Sequence, residues 1–182
     1  MVNIILIISL LLAEVENHQD VKSDSLIIKE LESLNKITRD KAFHSTLDST
    51  LLYGREGITL ALKAKDTLSL AKFYSSFGTV YRRFNKTDSS QYFFEKSARL
   101  YEALKDYTWA GYMYNNIAVI YKDGLEYEKA IKHVQKAIDM RLLTNDHMEI
   151  TSSYRLLGYL NERMNLYNPY INPDATLSNG II

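Results

Sequence analysis

Residues Tyr114 to Met140 read YNNIAVIYKDGLEYEKAIKHVQKAIDM, and this stretch decides the fold. It divides at Asp123-Gly124 into two short segments of helical periodicity. In the first, Tyr114, Ile117, Ala118 and Tyr121 recur at i, i+3, i+4 and i+7 and share one face. In the second, Ala130, Val134, Ala137 and Ile138 do the same. Size matters as much as polarity. Ala118 and Ala130 are small where two helix backbones must approach closely, whereas Tyr114, Ile117, Tyr121 and Val134 are large and fill the flanking space. The spacing predicts two helices hinged at Asp123-Gly124.

One such unit cannot bury its own apolar face, so copies are expected beside it. They recur at a period of 40 residues without gaps. Asp66, Asp106 and Asp146 keep that step, as do Tyr74, Tyr114 and Tyr154. So do Phe77, Ile117 and Leu157, and the small residues Gly78, Ala118 and Gly158. In the second segment Ser90 matches Ala130, Phe94 matches Val134 and Ser97 matches Ala137. One step earlier, Thr50, Gly54 and Gly57 fill those places more loosely.

The order aromatic, aliphatic-plus-small, Tyr, turn, Ala, bulky residue, Ala resembles the tetratricopeptide repeat (TPR) family over residues 46–165. The proline that commonly ends that repeat is absent, and Leu142 stands there. The family's usual period is about 34 residues, so the longer period here implies longer helices around each aspartate. The resemblance implies an all-α, right-handed α-α superhelix of about three and a half TPR-like helical hairpins. It also implies a non-catalytic protein- or peptide-binding scaffold. The long period and the apolar leader resemble the extracytoplasmic TPR regions of bacterial, Bacteroidetes-like, regulators and sensor kinases. An alternative is therefore a truncated N-terminal sensory domain of such a signalling or transcription regulator.

The chain has 182 residues, enough for one domain with a real core. Lys+Arg and Asp+Glu are both 22, for a net charge of zero, and no basic stripe favours nucleic acid. Cysteine is absent, which excludes disulfides, thiolate metal sites and a Cys nucleophile. Both prolines, Pro169 and Pro173, lie near the C-terminus, so the rest of the chain is free of the strongest helix breaker.

Four segments follow. Residues 1–13 contain the apolar run Ile4 to Leu12, too short to span a bilayer. It has the length of a signal-peptide core, with an uncleaved N-terminal anchor or a helix packed on the first repeat as alternatives. The signal reading makes the protein exported, in a bacterial periplasm; without it, a cytoplasmic location follows. Residues 14–24 are a polar linker, 25–165 the helical repeat domain, and 166–182 an irregular tail. In the domain, Ser25 to Arg39 and Thr46 to Ala64 are expected to form a degenerate first repeat. Gly54 and Gly57 are read as imperfections of that entry repeat in preference to the alternative, a close helix contact. Asp66, Asp106 and Asp146 are expected to cap helices, with Glu149 at capping-box spacing from Asp146. Asn85, Gly124 and Asn165 stand where a left-handed residue would end a helix. Asn85-Lys86-Thr87 also forms a glycosylation sequon.

The tail's prolines forbid a regular helix where the fourth repeat needs one, so Leu157 and Leu160 are expected to be partly open. Three arrangements would cover that face: the tail folded back, a partner or second copy, or an array that continues in a longer chain. Self-association through the incomplete last repeat is one of these options.

Little in the chain suggests chemistry. His18, His44, His133 and His147 form no i, i+4 pair, and neither a phosphate loop nor a nucleophile motif occurs. No enzyme, cofactor or metal is expected, and the aromatic positions Tyr74, Tyr81, Tyr114, Tyr121 and Tyr154 are assigned to packing. The functional candidate is a surface. In the family the resemblance names, the first helices of successive repeats line a concave groove. Here that places Lys72, Ser75, Thr79, Arg82 and Arg83 on it, then Tyr112, Asn115, Asn116, Val119 and Lys122, then Ser152, Arg155, Tyr159, Glu162 and Arg163. This mixed polar, aromatic and basic set suits an extended peptide with acidic groups. Some chaperone-binding members clamp a C-terminal carboxylate with Lys and Asn residues. Only the middle Asn is matched, as Asn116; Ser75, Thr79, Ser152 and Leu156 stand at the other places, so that clamp is not expected.

Overall fold

A computed structural model describes residues 24–144 and 147–166. The chain is an all-α superhelix of stacked hairpins, with no strand among the described residues. Helix α1 covers 24–44, and α2 covers Leu47–Ala64. Next come α3, Thr67–Arg83, and α4, Thr87–Ala103. Then follow α5, Tyr107–Asp123, α6, Tyr127–Leu142, and α7, His147–Leu166. From α2 to α7 each helix packs on the next in sequence. Three hairpins, α1/α2, α3/α4 and α5/α6, are followed by the single helix α7.

Helices α2 to α5 each end because one residue turns left-handed. Lys65, Asn85, Lys105 and Leu125 have φ of 55°, 54°, 58° and 61°, so the helix-ending turn recurs every 20 residues. The following amide reaches back to the carbonyl five residues earlier: Asp66 to Ala61, Lys86 to Tyr81, Asp106 to Tyr101 and Glu126 to Tyr121, each at 2.9 Å. This is the Schellman arrangement, and it satisfies carbonyls that a helix end otherwise leaves unpaired. Within one residue of that turn the next helix starts. Asp66 Oδ1 accepts from the Ser69 amide at 2.9 Å and Asp106 Oδ1 from the Trp109 amide at 3.2 Å. These are the caps the sequence predicts, each contributing about 1 kcal/mol. Asp146 lies outside the described residues. Helices α4 and α6 begin at Lys86 and Glu126 without a side-chain cap, so their position depends on packing.

The core is a series of clusters, each built around a second helix and the first helices on either side. Leu31 and Leu34 of α1 meet Ala61 of α2 and Phe73 of α3. Phe94, Ala98 and Tyr101 of α4 meet Ala71 of α3 and Ala110, Met113, Tyr114 and Ile117 of α5. Ala130, Val134 and Ile138 of α6 meet Ala118 of α5 and Leu160 of α7. Within a hairpin the close approach falls at small residues. Ala118 and Ala130 are both fully buried. One repeat earlier the Ser90 hydroxyl donates to the Gly78 carbonyl at 2.7 Å, which requires the two backbones to be that near.

Several expectations are corrected. The first helix runs past Arg39 to residue 44, because the buried stripe continues through Thr38 and Ala42. Gly54 and Gly57 are not imperfections. A Cβ on Gly54 would lie 2.1 Å from the Phe77 ring, and one on Gly57 would lie 2.0 Å from the Phe73 ring. Both aromatics belong to α3 and are almost wholly buried, so the glycines admit the next repeat. Gly124 has an ordinary φ of −83°, and the left-handed residue is Leu125. Asn165 lies inside α7. Leu160 is fully buried rather than open, whereas Tyr154 is 52 % exposed rather than packed. A Cβ on Gly158 would meet no described residue within 4 Å.

Leu125 is 67 % exposed, so its side chain contributes little packing against its backbone cost. The left-handed conformation costs a branched residue about 1–2 kcal/mol, and glycine returns roughly half of that as unfolded-state entropy. Leu125→Gly should therefore raise stability by about 0.5–1 kcal/mol, read as a higher thermal midpoint. A lowered midpoint would contradict this turn geometry.

Candidate functional site

The first helices α1, α3 and α5 enclose a cleft of about 520 Å³. Helix α1 contributes Glu32, Asn35, Lys36, Arg39 and Phe43, and α3 contributes Lys72, Ser75, Ser76 and Thr79. Tyr101, from the end of α4, and Trp109, from the first turn of α5, complete the lining. The spacings explain why these side chains converge. Lys72, Ser75 and Thr79 recur at i, i+3 and i+7 on α3, on the face turned from Phe73 and Phe77. Glu32, Asn35 and Arg39 stand 40 residues before them on α1.

The aromatic end of the cleft is built of packed rings. Tyr101 stacks on Trp109 with centroids 6.0 Å apart, and Trp109 meets Tyr112 at 5.4 Å. Tyr101 is 2 % exposed. Burial, with the Asp106 carboxylate adding to it, pushes its phenol well above the usual tyrosine range, so it stays neutral.

The next joint along the array is filled differently. Arg141 and Glu149 stand 40 residues after Tyr101 and Trp109, and the aromatic stack is replaced by an ion pair. Arg141 Nη2 lies 3.0 Å from Glu149 Oε2. Its Nη1 donates to the Glu149 carbonyl at 2.9 Å and to the Ser153 hydroxyl. The guanidinium lies over the Tyr112 ring at 4.8 Å, and the Tyr112 hydroxyl donates to Glu149. Arg141 is only 1 % exposed. Gly111 makes the room, since a Cβ there would come within 2.9 Å of Arg141 Cγ. Phe43, Tyr101, Trp109, Arg141 and the cleft residues of α1 had no part in the surface read from the sequence. The signal for α1 was present, because the 40-residue step carries Lys72, Ser75 and Thr79 back to Glu32, Asn35 and Arg39.

The predicted surface residues separate into groups. Lys72, Ser75 and Thr79 line the cleft. Arg82 does not join them; it borders a smaller pocket of about 330 Å³ near the α3/α4 and α5/α6 turns, with Asn85, Gln91, Tyr121 and Glu126. Arg83 donates to the Ala42 carbonyl at 2.8 Å and the Ser45 carbonyl at 3.1 Å, tying α3 to the end of α1. Tyr112 belongs to the Arg141 network. Asn116 donates to the Tyr112 carbonyl at 3.0 Å, and Asn115 Oδ1 accepts from the Ser153 hydroxyl at 3.4 Å. Lys122 lies 2.7 Å from Asp123. Ser152, Arg155 and Glu162 are exposed on α7, where the Arg163 guanidinium lies 5.3 Å from the Tyr159 ring centroid.

Among the described residues no group of three or more His, Asp or Glu side chains could hold a metal ion. No described helix is long and apolar enough to cross a membrane. No protein-family model matches this chain, and no curated protein matches it.

Removing one partner of a buried pair leaves an uncompensated charge, at a typical cost of ~3–5 kcal/mol. The Glu149 side chain is 26 % exposed, so Glu149→Ala should fall at or below the lower end of that range. Because the packing described runs between adjoining repeats, the loss should be local. Amide exchange should accelerate in α7 and the end of α6, with α2 to α4 unchanged. Equal protection of α7 in the variant and the parent would show that the pair does not hold that helix.

Proposed function

We propose that this chain is a non-catalytic protein- or peptide-binding scaffold of the tetratricopeptide repeat type, and that its ligand lies along the face formed by α1, α3, α5 and α7. The observation that carries the reading is the cleft itself. Three first helices from successive repeats contribute to one concavity, lined by aromatic and cationic side chains. Tyr, Trp and Arg are the residue types on which binding energy concentrates. The repeat architecture supports the same reading, because stacked helical hairpins present extended concave surfaces. The apolar run Ile4 to Leu12 supports export to a bacterial periplasm.

A random-peptide selection on the immobilised full chain tests this. Ser75 is partly exposed in the cleft, and Ser75→Phe fills it without changing charge. Peptides should be enriched on the parent protein and lose at least tenfold in affinity on the Ser75→Phe variant. Selection that yields no peptide, or peptides indifferent to that substitution, would refute the scaffold reading.

A further inference from the structure

We infer that the α1/α3/α5 cleft takes an acidic segment of a partner protein, with one large apolar side chain of that segment seated against Trp109. This rests on the scaffold reading and names its ligand. Trp109 is 47 % exposed, yet it packs against the rings of both Tyr101 and Tyr112, with centroids at 6.0 and 5.4 Å. A large ring that is already packed gives up little entropy when a partner side chain covers it. Phe43, 53 % exposed, lines the same cleft from α1. The two rings offer apolar surface that the packing of the described residues leaves open.

The charge around the rings sets the chemistry of the ligand. Lys36, Arg39 and Lys72 line the cleft, and Glu32 is the one carboxylate of its lining among the described residues. None of the three cations makes an ion pair with a described residue. The chain as a whole is neutral, so this excess is local to the cleft. Unpaired cations above a low-dielectric wall concentrate anionic ligands, and an arginine fork suits a carboxylate. The volume fits one large side chain with its neighbours, and Asn35 and Ser75 stand where the segment's main chain would pass. A single-stranded nucleic acid also uses aromatic and cationic contacts, but it needs a basic track along several nucleotides. The described cations of this cleft form one cluster.

Trp109 is the chain's single tryptophan, so its emission reports on this cleft alone. The probe is an N-acetylated, C-amidated peptide with one phenylalanine flanked on each side by two glutamates, titrated into the full chain. A saturable emission change is expected. It should weaken at least tenfold when lysines replace the glutamates, and likewise when alanine replaces the phenylalanine. Arg39→Glu combined with Lys72→Glu should reverse the preference toward the lysine peptide. Both positions are exposed, so a circular dichroism spectrum like the parent's is expected. The absence of a saturable change, an equal response to the lysine peptide, or equal binding of oligothymidylate would overturn the inference. Random-library peptides that depend on the cleft but carry neither acidic nor large apolar residues would overturn it too, while leaving the scaffold reading intact.

Discussion

The structure depends on where its helices are made to stop. A left-handed residue every 20 positions closes each of the helices α2 to α5 with the same pair of backbone hydrogen bonds. Equal spacing gives helices of nearly equal length, and equal lengths let successive hairpins stack without sliding. The stack in turn puts residues 40 apart on equivalent faces. That equivalence brings Glu32, Asn35 and Arg39 of α1 opposite Lys72, Ser75 and Thr79 of α3 around one cleft. Any lengthening of a single turn would rotate every later helix and dissolve the shared face.

Stacked repeats leave the same gap at each joint, and this chain fills it in three ways. Between α2 and α3 the equivalent positions are Ala61 and Ser69, both buried. Between α4 and α5 they are Tyr101 and Trp109, stacked ring on ring. Between α6 and α7 they are Arg141 and Glu149, an ion pair beneath the Tyr112 ring. An apolar filling gains from leaving water. A buried ion pair gains little net, because desolvation offsets attraction. It does, however, penalise any misplacement of α7, which lacks a described second helix to hold its far side. Among the described residues nothing covers Tyr154 fully or fills the space beside Gly158.

Much of this was legible in the chain, and the exceptions have physical causes. The hairpins and the caps at Asp66 and Asp106 follow from apolar period and cap chemistry, both local signals. The cost of Gly54 and Gly57 in a helix is local, whereas the rings of Phe73 and Phe77 that require them lie one repeat on. Gly124 is the natural choice for a left-handed residue, but the hydrogen-bond pattern places that role on Leu125. Of the predicted surface, Lys72, Ser75 and Thr79 fall in the cleft, because helical periodicity alone sets their face. Tyr112, Asn115 and Asn116 share the equivalent face but are tied to one another or to α6 and α7, through partners far along the chain such as Arg141 and Ser153. A spacing rule does not distinguish an outward residue from one already engaged.

The proposed scaffold would receive its ligand on the first-helix face and not on the second-helix face. Backbone amide chemical shifts of the labelled full chain, followed as a cleft-dependent peptide is added, test it most directly. Shifts should concentrate at residues 32–43 of α1, 72–79 of α3 and the first turn of α5 around Trp109. Shifts confined to the exposed faces of α4 and α6, with the Trp109 amide and indole unmoved, would contradict it.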